Sequence, residues 1–257
     1  MRFLVIIFTA LTSLNEYSFT MNNSAKLIFD HDEVIVNVAD NCQNIGIDGN
    51  EMLSIVADAT SNFWNKAATS RLKLRPGSVK SVAAAFRTDG ICVASTNCTP
   101  NPALSVGSDI LISCNASTSN FTSSSILGVT IPNNISGSTI IGALVLINDT
   151  AATQFGSKTR PEKVAIIAHE LGHTFGLGHS PVNDSLMYYA TVTQRTTLGR
   201  DDIDGVSYLY PKEQPVKGCG TIDMDGSKPN FWSGLFIGFS IIAFAEIFRK
   251  KLKNTVA

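Results

Sequence analysis

His169-Glu170-Leu171-Gly172-His173-Thr174-Phe175-Gly176-Leu177-Gly178-His179 gathers three of the chain's 4 histidines into one short run. Helical residues four apart project from the same face, so His169 and His173 stand one above the other at a spacing that one cation bridges. Gly176 lets the chain leave the helix through a backbone conformation that other residues resist, and His179 swings back as a third ligand. Three neutral imidazoles plus a water make an open tetrahedral zinc site, the catalytic rather than the structural arrangement. Glu170, directed toward the open position, is placed to take a proton from that water.

Upstream, Thr159-Arg160-Pro161-Glu162 is a capping-box signature, and the periodicity behind it predicts a helix from Pro161 to Phe175. A second helical pattern runs from Asn50 to Ala68. Alternating or continuous apolar stretches predict strands at Glu33 to Val38, around Leu72 and Leu74 with Pro76-Gly77 as its end, at Asp109 to Ser113, at Ile126 to Ile131 and at Ile140 to Ile147. The polar run Asn115 to Ser125 reads as a loop and residues 79 to 107 as an inserted hairpin. There is no internal repeat.

Beyond the third histidine, Ser185-Leu186-Met187-Tyr188-Tyr189 supplies a methionine-containing turn. With Gly176 and His179 in place, the pattern resembles the metzincin zinc metalloproteases. Ser180 and the downstream Leu198-Gly199-Arg200-Asp201-Asp202-Ile203-Asp204-Gly205 resemble the matrixin branch, the relatives of matrix metalloproteinases. The resemblance implies an α+β catalytic domain: a twisted, mostly parallel five-stranded sheet, two long helices and a C-terminal helix. It implies that His169, His173 and His179 hold one catalytic Zn2+, that Glu170 is general base and proton shuttle, and that Met187 packs as an apolar floor beneath the metal. Asp202 would be a buried acceptor bracing that turn. Asp201 would hold a processed N-terminal ammonium, or else is an ordinary helix-start acid favoured by the dipole. The Ile126 to Ile131 strand would take a peptide substrate as an added strand, and Ala190 to Leu198 would wall the pocket after the cleaved bond.

The chain departs from that pattern in three places. Only His31 remains for a second, structural zinc, so that site is expected to be absent. The prodomain thiol motif is missing, since Cys42 stands in Asp40-Asn41-Cys42-Gln43. Tyr189 occupies the place where matrixins carry proline; as in astacins and serralysins it either approaches the metal or simply packs. Asp223-Met224-Asp225-Gly226 has too few ligand positions to support calcium.

Composition and the two ends set the surroundings. A net charge of -1 over 257 residues lacks the basic face of a nucleic-acid binder, while 19 Gly and 9 Pro exclude a coiled coil. Met1 to Leu11, one arginine and then an apolar run too short to span a bilayer, reads as a signal peptide within residues 1–20, against a buried first strand. Residues 231–248 form an apolar stretch long enough for a transmembrane helix, against a buried terminal helix. The basic tail 249–257 marks its cytoplasmic end. Residues 25–211 then form the catalytic domain and 212–230 the linker. Of the 5 cysteines, Cys92 is paired with Cys98 and Cys42 with Cys114, one of three connectivities open to them. Cys219 is left over in Gly218-Cys219-Gly220, a placement similar to bacterial C-terminal sorting signals; it is either a processing or lipid-attachment point or an inert linker cysteine. Asn-x-Ser/Thr triplets at Asn97, Asn115, Asn120 and Asn148 carry no inference in so Asn- and Ser-rich a chain. The expected protein is an exported, membrane-tethered, monomeric zinc endopeptidase acting on protein or peptide substrates. The competing reading is a surface adhesin or scaffold that keeps zinc for stability.

Overall fold

The computed structural model describes residues 19–23, 26–92, 99–190 and 194–212. The chain divides into two units, Met1–Glu213 and Gln214–Ala257, and every described residue belongs to the first. Residues 1–18 of the expected leader, the linker from 213, the expected span 231–248, the basic tail and Cys219 lie outside the described residues. No helix among the described residues is long and apolar enough to cross a membrane.

Five strands form one sheet: β1 (Glu33–Ala39), β2 (Lys73–Lys80), β3 (Asp109–Asn115), β4 (Gly128–Ser136) and β5 (Thr139–Asn148), in the order β2-β1-β3-β5-β4. All neighbours pair in parallel except β4, which runs antiparallel to β5 at the edge. The turn between them carries Gly137 at φ 60, a conformation that favours glycine. Helices α1 (Gly49–Asn62) and α3 (Arg160–Thr174) are long, a single turn α2 (Ala85–Thr88) follows β2, and α4 (Arg200–Leu209) comes last. The α+β expectation holds: a mostly parallel five-stranded sheet, two long helices and a final one.

Alternation decides which way the sheet faces. Val34, Val36 and Val38 of β1, with Ile110 and Ile112 of β3, enter the main core beneath α1 and α3. Leu111, Leu144 and Leu146 point to the other face, where Phe86, Leu104, Val106 and Phe121 close a second cluster. α3 is buried from Lys163 to Thr174, as befits a helix enclosed on all sides. The Trp64 indole N–H donates to Ala168 O (2.7 Å) and its ring meets Phe175 edge-on (4.8 Å). At the other end of α3, the Glu162 carboxylate accepts from Thr159 N (2.8 Å), and Arg160 reaches Asp58 of α1 (2.7 Å).

Two expectations need correction. Pro76-Gly77 does not end the second strand, which runs on to Lys80. β2 is an edge strand, where a proline lacking its N–H is tolerated, and the Asn37 side chain accepts from Ser78 N (3.1 Å) where the register shifts. Among the described residues of 79–107 there is no hairpin either. Chain coverage comes from α2 and a 3-10 turn at Pro102–Leu104, whose apolar residues seal the second cluster.

The loop after β1 closes around fully buried Asp149, which accepts from Gln43 N, Asn44 N and Ile45 N at 2.7–3.0 Å and pairs with Arg87. Cys42 and Cys114 form the expected disulfide beside it. Cys92 is disulfide-bonded as well, and Cys98 lies outside the described residues. Asn115 and Asn148 are buried with their amides donating to Phe86 O and Ile126 O (2.9 and 2.8 Å), so neither is free to carry a glycan.

Candidate metal centre

His169 and His173 occupy the last turns of α3, and the chain bends back at Gly176, whose φ of 111 and proximity to Leu27 O admit no side chain. One ligating atom from each of His169, His173 and His179 falls within 4.8 Å of the others, and the three rings lie 4.7–5.3 Å apart. Backbone carbonyls set their orientation. His169 Nδ1 stands 2.7 Å from Leu186 O and His173 Nδ1 2.8 Å from Leu177 O. A carbonyl only accepts, so both Nδ1 atoms carry the proton and both Nε2 lone pairs are free for a metal. Burial, with the neighbouring histidines, pushes His173 down to about 3 and holds His179 below its ordinary value. Neutral, pre-oriented nitrogen donors in this number suit zinc.

The His179 loop is strapped down by the leading segment. Gly178 N donates to Thr20 O (2.8 Å), Asn22 N to Gly176 O (3.0 Å) and the Asn22 amide to His173 O (2.8 Å), while Thr20 Oγ1 donates to His179 O.

Met187 is buried against α3, and a Cβ on Gly172 would overlap its thioether, so methionine and glycine share one space between the two helical histidines. Asp202, in the first turn of α4, accepts from Leu186 N (2.6 Å), Met187 N (3.0 Å), Gly199 N (2.7 Å) and the Ser185 hydroxyl. The turn hangs on that carboxylate. Asp201 is also buried and accepts from Ser180 Oγ (2.5 Å). Its Oδ1 has no partner among the described residues, and burial raises its pKa. It lines a tight crevice together with Phe19, Thr20 and Ser180.

Glu170 is buried beside the triad, and burial lifts its pKa, opposed by His169 and by a hydrogen bond from Thr130. Thr130 Oγ1 donates to Glu170 Oε2 at 2.5 Å, while a Cβ on Gly128 would sit 2.7 Å from the carboxyl carbon. Sequence reasoning placed both in the substrate-binding strand but missed their contact with Glu170. Their spacing of two was the available signal, since it places them on one face of β4. Tyr189 is 66% exposed, with its ring against Tyr188 (4.4 Å). His31 sits between Asp30 (2.8 Å) and Asp109 (3.2 Å), away from the triad.

Comparison with known proteins agrees with this geometry. The Matrixin family model matches residues 15–211. Metalloendoproteinase 5-MMP of Arabidopsis thaliana is 36% identical over 90 residues, 32% of this chain and 24% of that protein. Metalloendoproteinase 2-MMP of the same plant is 47% identical over 51 residues, 19% and 13% of the two chains. Interstitial collagenase of Sus scrofa is 46% identical over 57 residues, 21% and 12%. The matched stretches thus span a quarter or less of those relatives. Because the family match runs from the leading segment that straps the His179 loop to the end of the helix that braces the methionine turn, this chain belongs to the matrixin family.

Proposed function

We propose that this chain is a zinc-dependent endopeptidase that hydrolyses protein or peptide substrates outside the cytoplasm. The observation that carries this reading is the convergence of His169, His173 and His179 beside buried Glu170, under the free edge of β4. When bound there, zinc supplies Lewis acidity, polarising a carbonyl and drawing the pKa of a water toward neutrality. An extended peptide adds to the open edge of β4 through main-chain hydrogen bonds, which sets the scissile bond over the triad. Glu170 accepts a proton from the attacking water and hands it to the leaving amine. Its raised pKa brings it closer to the value that both transfers need. A purely structural site has no use for a carboxylate here, which counts against the scaffold reading.

Among the described residues, Asp201 Oδ1 is a buried oxygen without a partner, close to Phe19 and Thr20 of the leading segment, and this supports a role for Asp201 as the seat of a processed N-terminal ammonium. The apolar segments at the two ends support export and a C-terminal membrane tether for a monomeric enzyme.

The test is digestion of an unstructured protein by zinc-loaded material, with and without a chelator. Chelation abolishes cleavage. Glu170→Gln keeps stoichiometric zinc by elemental analysis while turnover falls by about 100-fold or more. Near wild-type turnover in that variant would remove Glu170 from the mechanism, and zinc without any cleavage would favour the scaffold.

A further inference from the structure

Next to Glu170 the surface opens into a cavity of about 410 Å3. Leu127 and Ile166 make it apolar close to the base, and Tyr189 stands at its rim. Its lining also includes Gln154 and Lys158, which precede the cap of α3. With a helical rise of 1.5 Å per residue, the start of α3 lies roughly 15 Å from Glu170, so Lys158 marks the opposite end. Lys158 is half-buried and, among the described residues, forms no ion pair. The acid that feels its charge, Glu162, is turned to the helix cap, where Thr159 N and Oγ1 donate to it (both 2.8 Å). Apart from the histidine and glutamate of the centre itself, Lys158 is the one charged group lining the cavity among the described residues.

Proton transfer fixes which substrate residue meets this space. Glu170 must deliver its proton to the departing nitrogen, so the residue bearing that nitrogen lies on the Glu170 side and its side chain has this cavity to enter. We propose that the cavity selects an acidic side chain, glutamate foremost, immediately after the cleaved bond. The glutamate methylenes pass Leu127 and Ile166, and its carboxylate meets the Lys158 ammonium and the Gln154 amide. Leucine fills the apolar part but leaves the ammonium without an anion, and lysine brings like charges together. Because Lys158 is only half-buried, the preference weakens as salt rises.

This subsite rests on the peptidase reading, and the test separates the two. The zinc-loaded full chain is given casein and a peptide mixture whose cut sites are mapped by mass spectrometry. It is then assayed on quenched peptides that differ only in carrying Glu, Gln, Leu or Lys after the cut. Glutamate is expected to lead in kcat/KM, by roughly tenfold over lysine, with the ratio shrinking between low and high salt. Lys158→Glu inverts the Glu-to-Lys ratio, a comparison made within each protein and so independent of how much of it is folded. If casein is cut but leucine ranks first and charge reversal leaves the ratios in place, the subsite is wrong and the peptidase stands. If neither casein nor any peptide is cut, both fall.

Discussion

Thr130 holds Glu170, the proposed general base, by one hydroxyl, from a strand forty residues away in the chain. A hydrogen bond to an ionised group is worth about 1.5–3 kcal/mol, which is roughly ten- to a hundredfold in rate where it orients a reacting group. Thr130→Val keeps the shape and removes the donor, so kcat is expected to fall by about tenfold. KM and zinc content should stay put while the melting temperature falls, because a buried carboxylate oxygen loses its donor, and Thr130→Ser should restore both rate and stability in steady-state kinetics and thermal melts. His173 yields a pH prediction. Its imidazole titrates at about 3 when folded against 6.5 unfolded, so below 6.5 the unfolded chain binds the extra proton. The metal-free protein therefore loses stability as pH falls from 6.5 toward 3, by up to about 1.4 kcal/mol per pH unit. Denaturant melts of chelated protein across that range check the slope. The histidines were legible because their spacing is a local helical property. The carbonyls of Leu186 and Leu177 that aim them were not, since a main-chain acceptor leaves no mark in residue identity.

At the scale of elements, α4 serves the centre through Asp202 rather than through contact with a metal. Four donors converge on that buried carboxylate, and stranding them costs more than the bonds themselves. Asp202→Ala should lower stability by about 3 kcal/mol or more and weaken zinc retention, as read by urea unfolding and by metal content after dialysis. α3 and its capping signal were readable from Thr159 to Gly176 because cap, period and stop all lie within one segment. β2 was not, because whether Pro76 ends a strand depends on its being at an edge, and strand order is a property of the whole sheet. The 79–107 region misled for a related reason. Its residues Phe86, Leu104 and Val106 follow no period of their own and are apolar because they cover a sheet face built elsewhere.

For the molecule as a whole, the two sheet faces are held differently. The inner face has the helices. The outer face relies on short turns and on the Arg87–Asp149 pair, while the Cys42–Cys114 bond, which joins residues 72 apart, lies against the main core on the inner side. Closing a loop of that length in the unfolded chain is worth about 2–4 kcal/mol, so the Cys42→Ser, Cys114→Ser double variant should unfold at correspondingly lower urea. The shift should vanish when both proteins are compared under reducing conditions. That part of the molecule was legible as a pairing of cysteines, whereas the network of buried asparagines around it was not, since Asn is as common in solvated loops.

The strap formed by Thr20 and Asn22 over the third histidine also bears on handling. Cargo fused directly ahead of Phe19 would emerge against α4 and the methionine turn, so an affinity tag placed there would crowd the strap, and one joined after Lys212 would leave it undisturbed.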